Sequence, residues 1–369
     1  MSDVFFADMR TAAHRGMPAK LGALFDRAGL SDIIAPGDLV AIKTHFGERG
    51  GSAFVPSFYL RTLVEKVKEA GGKPFLTDAG TLYVGSRANA CDHILTAAMH
   101  GFDLATVDAP IIIADGLAGG DFVEVEIPGR HFQQVKIASV AVYADVLLAV
   151  SHLTGHEVSG FGAAMKNVGM GLGSRGGKQQ MHSDMRPRVD DAQCTACARC
   201  LRWCPAEAIS IRGEGKNKVA SIDEKVCIGC GECTAMCVEG AISIRWGSQP
   251  QTVQEKIAEY ACGALKDKGG HTAFFNFLMQ ISPACDCWDF SDAPIVPDLG
   301  ILCSRDIVAV DRASVDLVAQ AVPVKDSRAG DLAAGQDKFG GLTPVSWAPQ
   351  LAHAEWLGLG TQEYTLIKI

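Results

Sequence analysis

The feature that most restricts how this chain can fold is a cysteine spacing that occurs twice. Cys194-x2-Cys197-x2-Cys200-x3-Cys204 is followed by Cys227-x2-Cys230-x2-Cys233-x3-Cys237, and Pro205 stands directly after the first copy. Three thiolates three residues apart can close around one iron–sulfur cubane if the backbone loops tightly over it, while the fourth points away and ligates a neighbouring cubane. The spacing therefore predicts two [4Fe-4S] clusters. Cys194, Cys197, Cys200 and Cys237 hold one, Cys227, Cys230, Cys233 and Cys204 hold the other, and neither half folds without its partner. Paired CxxC motifs also read as zinc knuckles, but zinc has no use for a doubled CxxCxxCxxxC followed by proline. A disulfide framework fits less well still. The opening MSDVFFADMR has no apolar leader core and no cleavage site, which predicts a chain kept in a reducing cytoplasm.

A chain of 369 residues predicts two or three domains on a prior of about 150 residues each. With 48% hydrophobic and 21% charged residues the composition is that of a soluble globular protein. No window approaches the roughly 18 consecutive apolar residues of a membrane span. Net charge is 34 minus 42, or -8, and anionic clusters would add to it, so nucleic-acid binding has no electrostatic support.

Apolar runs at Leu39–Thr44, Pro74–Thr77, Ile111–Ala114 and Val146–Ser151 are short, rich in branched aliphatics and separated by helix-period stretches, as in a buried parallel sheet. Helices are expected at Phe58–Ala70, stopped by Gly71-Gly72, and at Ala88–Met99, ended by Gly101. The pattern breaks at Arg186-Pro187-Arg188 and resumes after Ser248-Gln249-Pro250, with a helix over Thr252–Lys268, strands over Thr272–Ile281 and Gly300–Leu302, and a helix over Arg312–Gln320. The expected architecture is an α/β, mostly parallel sheet domain interrupted by a small α+β ferredoxin-like two-[4Fe-4S] module. Residues 1–187 and 247–320 form the α/β domain, 188–246 the insert, and 321–369 a tail packing back on the sheet. Three successive separate domains are the alternative.

Open parallel sheets bind ligands beyond the carboxyl ends of their strands. Here the runs end in Thr44-His45, Asp78-Ala79-Gly80, Asp115-Gly116 and Ser151-His152-Leu153-Thr154-Gly155-His156. Singly, His45, Asp78 and Asp115 could be caps and turn formers; their coincidence on one edge is the stronger signal. Eight glycines fall within Gly155–Gly177, with Lys166, Asn167, Ser174, Arg175 and Lys178 interleaved or just beyond. Gly169, Gly171 and Gly173 with Ser174 and Arg175 suit the close approach of backbone N–H groups to an anionic cofactor or substrate; a flexible loop feeding the cysteine segment is the bland reading. Of the remaining cysteines, Cys91, Cys262 and Cys303 read as packing. Cys285-Asp286-Cys287 is different, since two thiols flanking a carboxylate can ligate a metal or act as a redox pair.

The segments Lys43–Gly50, Gly71–Arg87, Ala109–Leu117, Ser151–Gly171 and Cys285–Leu302 resemble the iron–sulfur proteins grouped as domain of unknown function 362, over about residues 1–320. The resemblance implies a bacterial or archaeal iron–sulfur redox protein and no agreed reaction. A more distant similarity of pattern, resting on His152, His156 and Lys166, is to the nickel-pincer lactate racemases, in which a lysine tethers the cofactor and histidines shuttle protons. That activity is not carried over, because a racemase needs no clusters.

Three functions compete. In the first, two [4Fe-4S] clusters relay electrons to or from a small anionic substrate, with His45, Asp78, Asp115, His152, His156 and Lys166 as catalytic groups and an additional small-molecule cofactor allowed. The second is a dedicated electron carrier docking a redox partner protein. The third is a metal or cofactor chaperone using Cys285, Cys287 and Cys303.

Overall fold

Eight strands pair into one sheet, and its central strands are buried along their whole length. A computed structural model describes residues 1–83, 85–182, 186–204, 206–227, 232–243 and 249–369. The strands are β1 (Ser2–Asp8), β2 (Leu39–Thr44), β3 (Lys73–Asp78), β4 (Ile111–Ile113), β5 (Val146–His152), β6 (Thr272–Leu278), β7 (Gly300–Ser304) and β8 (Tyr364–Lys368). Their spatial order is β8-β1-β7-β6-β5-β2-β3-β4. Among these, β7 runs antiparallel to both neighbours and the other adjacent pairs are parallel.

Strand alternation divides the core in two. In β6, Phe274 and Leu278 face one apolar cluster while Phe275 and Phe277 face the other; in β5, Leu147 and Ala149 oppose Leu148 and Val150. Helices cover both faces, giving three layers. Met17–Arg27 and Ser57–Glu69 lie on one side. The other side carries α1 (Ala164–Leu172), α4 (Pro250–Leu265) and α5 (Ile307–Gln320); α2 (Arg175–His182) and α3 (Glu232–Met236) lie between these in sequence. Local chemistry sets the ends. Pro250 opens α4, where a missing N–H costs nothing, and the Asp306 carboxylate caps α5 by accepting from Val308 and Ala309 N–H at 2.9 Å.

The sheet draws strands from both sides of the cysteine segment, and β5 and β6, which bracket that segment in sequence, are neighbours in space. The tail returns as β8, hydrogen-bonded along β1. Between them, Arg188–Val189 pairs with Ile242–Ser243 and Ile209–Arg212 with Val219–Ile222, all antiparallel. This segment has a small core of its own, formed by Cys200, Ile209, Ala220, Cys233 and Ile242 with Cys194, Cys204 and Cys237 packed against it.

The glycine-rich stretch departs from the sequence reading. It is not a continuous loop but a short hairpin, Thr154–His156 with Gly160–Gly162, followed by α1 and α2. Its glycines allow close packing. A Cβ at Gly169 would lie 2.2 Å from the carbonyl oxygen of Ile257 in α4, so the absence of a side chain is what lets α1 and α4 meet backbone to backbone. Gly173 and Gly177 make room for the Tyr260 ring in the same way.

A buried thiol and cation cleft as the candidate functional site

β2, β3, β5 and β6 all end on one edge of the sheet, so the residues that follow them converge. His45, Asp78, His152, His156 and Lys166 line a single cleft, joined by Gly171 and by Lys43, Thr81, Tyr83, Arg87, Thr154, Asn167, Lys178, His182, Cys285, Asp286 and Cys287. Asp115 is not among the lining residues. It is fully buried behind them, accepting from Gly80 N–H at 2.8 Å across to the end of β3, and burial raises its pKa. Gly169, Gly173, Ser174 and Arg175 lie outside the cleft as well. Ser174 Oγ accepts from Gly177 N–H at 3.1 Å. Arg175 lies over Gly119 and in a crevice with Arg199, Trp203 and Cys237.

One wall is a chain of buried charges. Lys43 Nζ lies 2.9 Å from Asp78 and donates to Asn167 Oδ1 at 2.6 Å; Asp78 also meets Arg87 at 3.4 Å and His93 at 3.6 Å, and Arg87 reaches Glu48 at 3.3 Å. Burial alone would raise the Asp78 pKa, but Lys43 and His93 hold it well below the usual carboxylate range. Arg87 donates to Tyr83 Oη at 2.7 Å, and Tyr83 donates to the Cys287 carbonyl at 2.9 Å. This wall is therefore tied to the loop after β6.

The opposite wall carries the histidines and thiols. His152 donates Nε2–H to the Met279 carbonyl at 2.6 Å, and its Nδ1 lies 3.0 Å from both Asp286 oxygens. Burial would depress this imidazole, but the Asp286 charge and hydrogen bond outweigh it and its pKa is raised. His156 is the reverse: Nδ1 accepts from Val158 and Ser159 N–H at 3.1 and 3.0 Å, and burial followed by the Lys166 charge lowers its pKa to about 4. It is thus a neutral ring with Nε2–H toward Cys285, to which its side chain hydrogen-bonds. Lys166 donates to Cys285 Sγ at 3.0 Å, and Cys285 and Cys287 place their sulfurs 2.6 Å apart. Their hydrogen bond, with Lys166 and Arg87 nearby, pulls Cys287 down to about 6, while the same bond and burial push Cys285 up to about 12. The pair therefore holds one proton near neutral pH.

Two further groups complete the site. His45 accepts from Gly47 N–H at Nδ1, 3.0 Å away, and burial keeps its pKa well below 6.5. Its proton then sits on Nε2, a buried donor without a hydrogen-bond partner among the described residues. From α2, Lys178 is lowered by burial to about 8 and His182, again by burial, to about 3. Lys43, Arg87, Lys166, Lys178 and His152 thus face Asp78, Asp286 and one shared thiolate, with Glu48 behind Arg87. A chain of net charge -8 keeps a pocket that is not electronegative.

Sequence reasoning passed over Lys43, Arg87 and His182. Lys43 had a usable signal, since a lysine inside an otherwise apolar strand has to be paired if it is buried.

In the cysteine segment, Cys194, Cys197, Cys200 and Cys237 line one cavity. Ala220 N–H donates to Cys194 Sγ and Ala208 N–H to Cys204 Sγ, both at 3.3 Å. Ala196 and Ala198 take positive φ of 54° and 58°, as a loop turning sharply between closely spaced ligands requires. Four thiols around one cavity, one of them already accepting a backbone N–H, are a donor set that would suit a [4Fe-4S] cubane. Among the described residues no group of three or more His, Cys, Asp or Glu side chains is placed to hold a metal ion. Of the second set, Cys204, Cys227 and Cys233 are described and Cys230 lies outside the described residues. No helix of the described residues is long and apolar enough to cross a membrane.

Among solved structures, the lactate racemase apoprotein from Thermoanaerobacterium thermosaccharolyticum is similar at 11% identity and TM-score 0.35, covering 76% of this chain and 51% of its own. A protein from Thermotoga maritima is similar at 10% identity and TM-score 0.38, covering 70% of this chain and 50% of its own. The chain thus spans about half the length of each. No curated protein matches. The profile of the domain of unknown function DUF362 matches residues 40–316, and the chain belongs to that family.

Proposed function

We propose that this is an iron–sulfur redox protein in which two [4Fe-4S] clusters exchange electrons with a small anionic molecule bound in the cleft. Cys194, Cys197, Cys200 and Cys237 would hold one cluster and Cys227, Cys230, Cys233 and Cys204 the other; bound there, the clusters supply single electrons at low potential. The observation that carries the reading is α2. This one helix contributes Lys178 and His182 to the cleft and packs against α3, which bears the ligand Cys233. The two sites are thereby neighbours across a single helix.

The cleft residues divide the remaining work. Lys178, poised near neutrality, and the His45 Nε2–H, without a partner among the described residues, bind and orient an anion. The His152–Asp286 pair holds a proton at Nδ1, and neutral His156 can pass one at Nε2. Burial strengthens each of these interactions by excluding water.

The test is anaerobic reconstitution followed by metal and sulfide analysis, electron paramagnetic resonance and a thermal-shift panel of phosphate, sulfate and small carboxylates. The expected result is about eight iron per chain, reduced-cluster signals, and stabilisation by at least one anion that disappears in Lys178→Met while the cluster signals persist. Zinc in place of iron, or no anion response in the loaded protein, refutes the reading.

A further inference from the structure

The anion-binding groups leave one part of the cleft unused. Cys285 and Cys287 are separated by a single residue, their sulfurs are 2.6 Å apart, and the Cys287 N–H folds back onto Cys285 Sγ at 3.3 Å. Cys285 is buried and Cys287 partly open. The backbone loop is closed by contacts from three directions: Tyr83 to the Cys287 carbonyl, His152 to Asp286, and Lys166 to Cys285 Sγ. Two sulfurs held this close, with a cation on one and solvent access to the other, have the arrangement of a redox pair.

We propose that Cys285 and Cys287 form a reversible dithiol–disulfide couple, with Cys287 as the sulfur that an external thiol reaches and Lys166 as the cation that stabilises the departing Cys285 thiolate. In the reducing direction a dithiol such as dithiothreitol attacks Cys287 Sγ as its thiolate. A donor–Cys287 bond forms, the Cys285–Cys287 bond breaks, and its electron pair leaves on Cys285, 3.0 Å from the Lys166 ammonium. The donor's second thiol gives up its proton and attacks the donor's own first sulfur. The donor closes to its cyclic disulfide and Cys287 is released with its electron pair. The donor loses two electrons and two protons; the protein takes up both electrons and one proton, shared between the two sulfurs, and the other proton goes to solvent. His156 Nε2–H, hydrogen-bonded to Cys285, adds a second donor to the departing sulfur. A one-residue spacer closes a small, strained ring, and strained disulfides are the labile ones.

The chemistry of this couple is independent of the clusters, so it stands or falls apart from the reading above. The cluster-loaded full chain is equilibrated anaerobically in reduced and oxidised dithiothreitol mixtures and then with glutathione disulfide, quenched in acid, unfolded and alkylated. The tryptic peptide spanning 269–305 contains Cys285, Cys287 and Cys303. It is expected to carry three labels when reduced and one when oxidised, with a single reversible midpoint that Cys303→Ser leaves in place. Lys166→Met should shift that midpoint toward the disulfide by about tenfold, the scale of a lost hydrogen bond to a charged group. Three labels at every ratio in the parent chain overturn the proposal, as does label loss that persists in Cys285→Ser, which would place it on Cys287 or Cys303 without a Cys285–Cys287 bond. A parent midpoint with no response to Lys166→Met overturns the role given to that lysine.

Discussion

Asp78 is where the electrostatics of the cleft can be tested most directly. Its side chain is 3% exposed, and Lys43, at 1%, lies 2.9 Å away. Arg87 and His93 close the remaining sides at 3.4 and 3.6 Å. Asp78→Asn preserves shape and removes the charge, leaving Lys43 without a carboxylate partner and Arg87 with Glu48 alone. Deleting one partner of a buried pair costs about 3–5 kcal/mol. The lower end is expected here, because burial already depresses the Lys43 pKa and its ammonium can shed a proton. Replacing both partners, as Lys43→Met with Asp78→Leu, should recover much of the loss, since isosteric apolar pairs in such positions are often neutral. The assay is urea unfolding of parent, single and double variants followed by circular dichroism.

The same variant carries a pH signature. Because the Asp78 carboxyl is held well below its ordinary value in the folded chain, its stabilisation is complete above the unfolded pKa of about 3.9 and lost as pH falls below it. Asp78→Asn should lack that part of the acid limb. It also makes the cleft more positive, so sulfate should stabilise the variant more than the parent, growing as RT ln(1 + [L]/Kd). A single variant within about 0.5 kcal/mol of the parent, the scale of ordinary surface changes, would refute the reasoning, as would strictly additive single and double changes.

Two further outcomes follow from the packing and from His152. Gly169→Ala should destabilise by about 1–3 kcal/mol, the cost of overpacking, although alanine is favoured over glycine by about 1 kcal/mol in a free helix; a stabilised variant in thermal denaturation means that α1 and α4 do not meet at Ile257. The His152 imidazole, raised by Asp286, should titrate by NMR above the ordinary 6.5. Its contribution to stability is full below that pH and lost as pH rises through the folded midpoint, and Asp286→Asn should return the midpoint toward or below 6.5.

The sheet was legible because strands buried on both faces need continuous apolar runs. Leu39–Thr44 was read with the bounds it has, and Val146–Ser151 to within one residue of β5. β1 is less legible because Ser2–Asp8 is polar at both ends and its apolar run is only Val4–Ala7. The glycine stretch was misread for a physical reason. Glycine serves equally where backbone must approach an anion and where it must approach another backbone, and a single sequence does not contain Ile257 or Tyr260 at the distance that decides between the two.

The convergence of His45, Asp78, His152 and His156 followed from one rule, that side chains after parallel strands share an edge. That rule reaches only residues next to a strand end. Lys178 and His182 come from a helix, and Cys285 and Cys287 lie seven and nine residues past β6, so their arrival in the cleft depends on how the loop after β6 is tied down. The ties are Tyr83 to the Cys287 carbonyl and His152 to Asp286, from the loop after β3 and from the end of β5. The residues that position the thiols are thus themselves strand-end residues of the cleft. Any variant of Tyr83 or His152 that loosens the loop should also alter Cys287 alkylation rates, coupling the anion-facing wall to the sulfur pair through two hydrogen bonds.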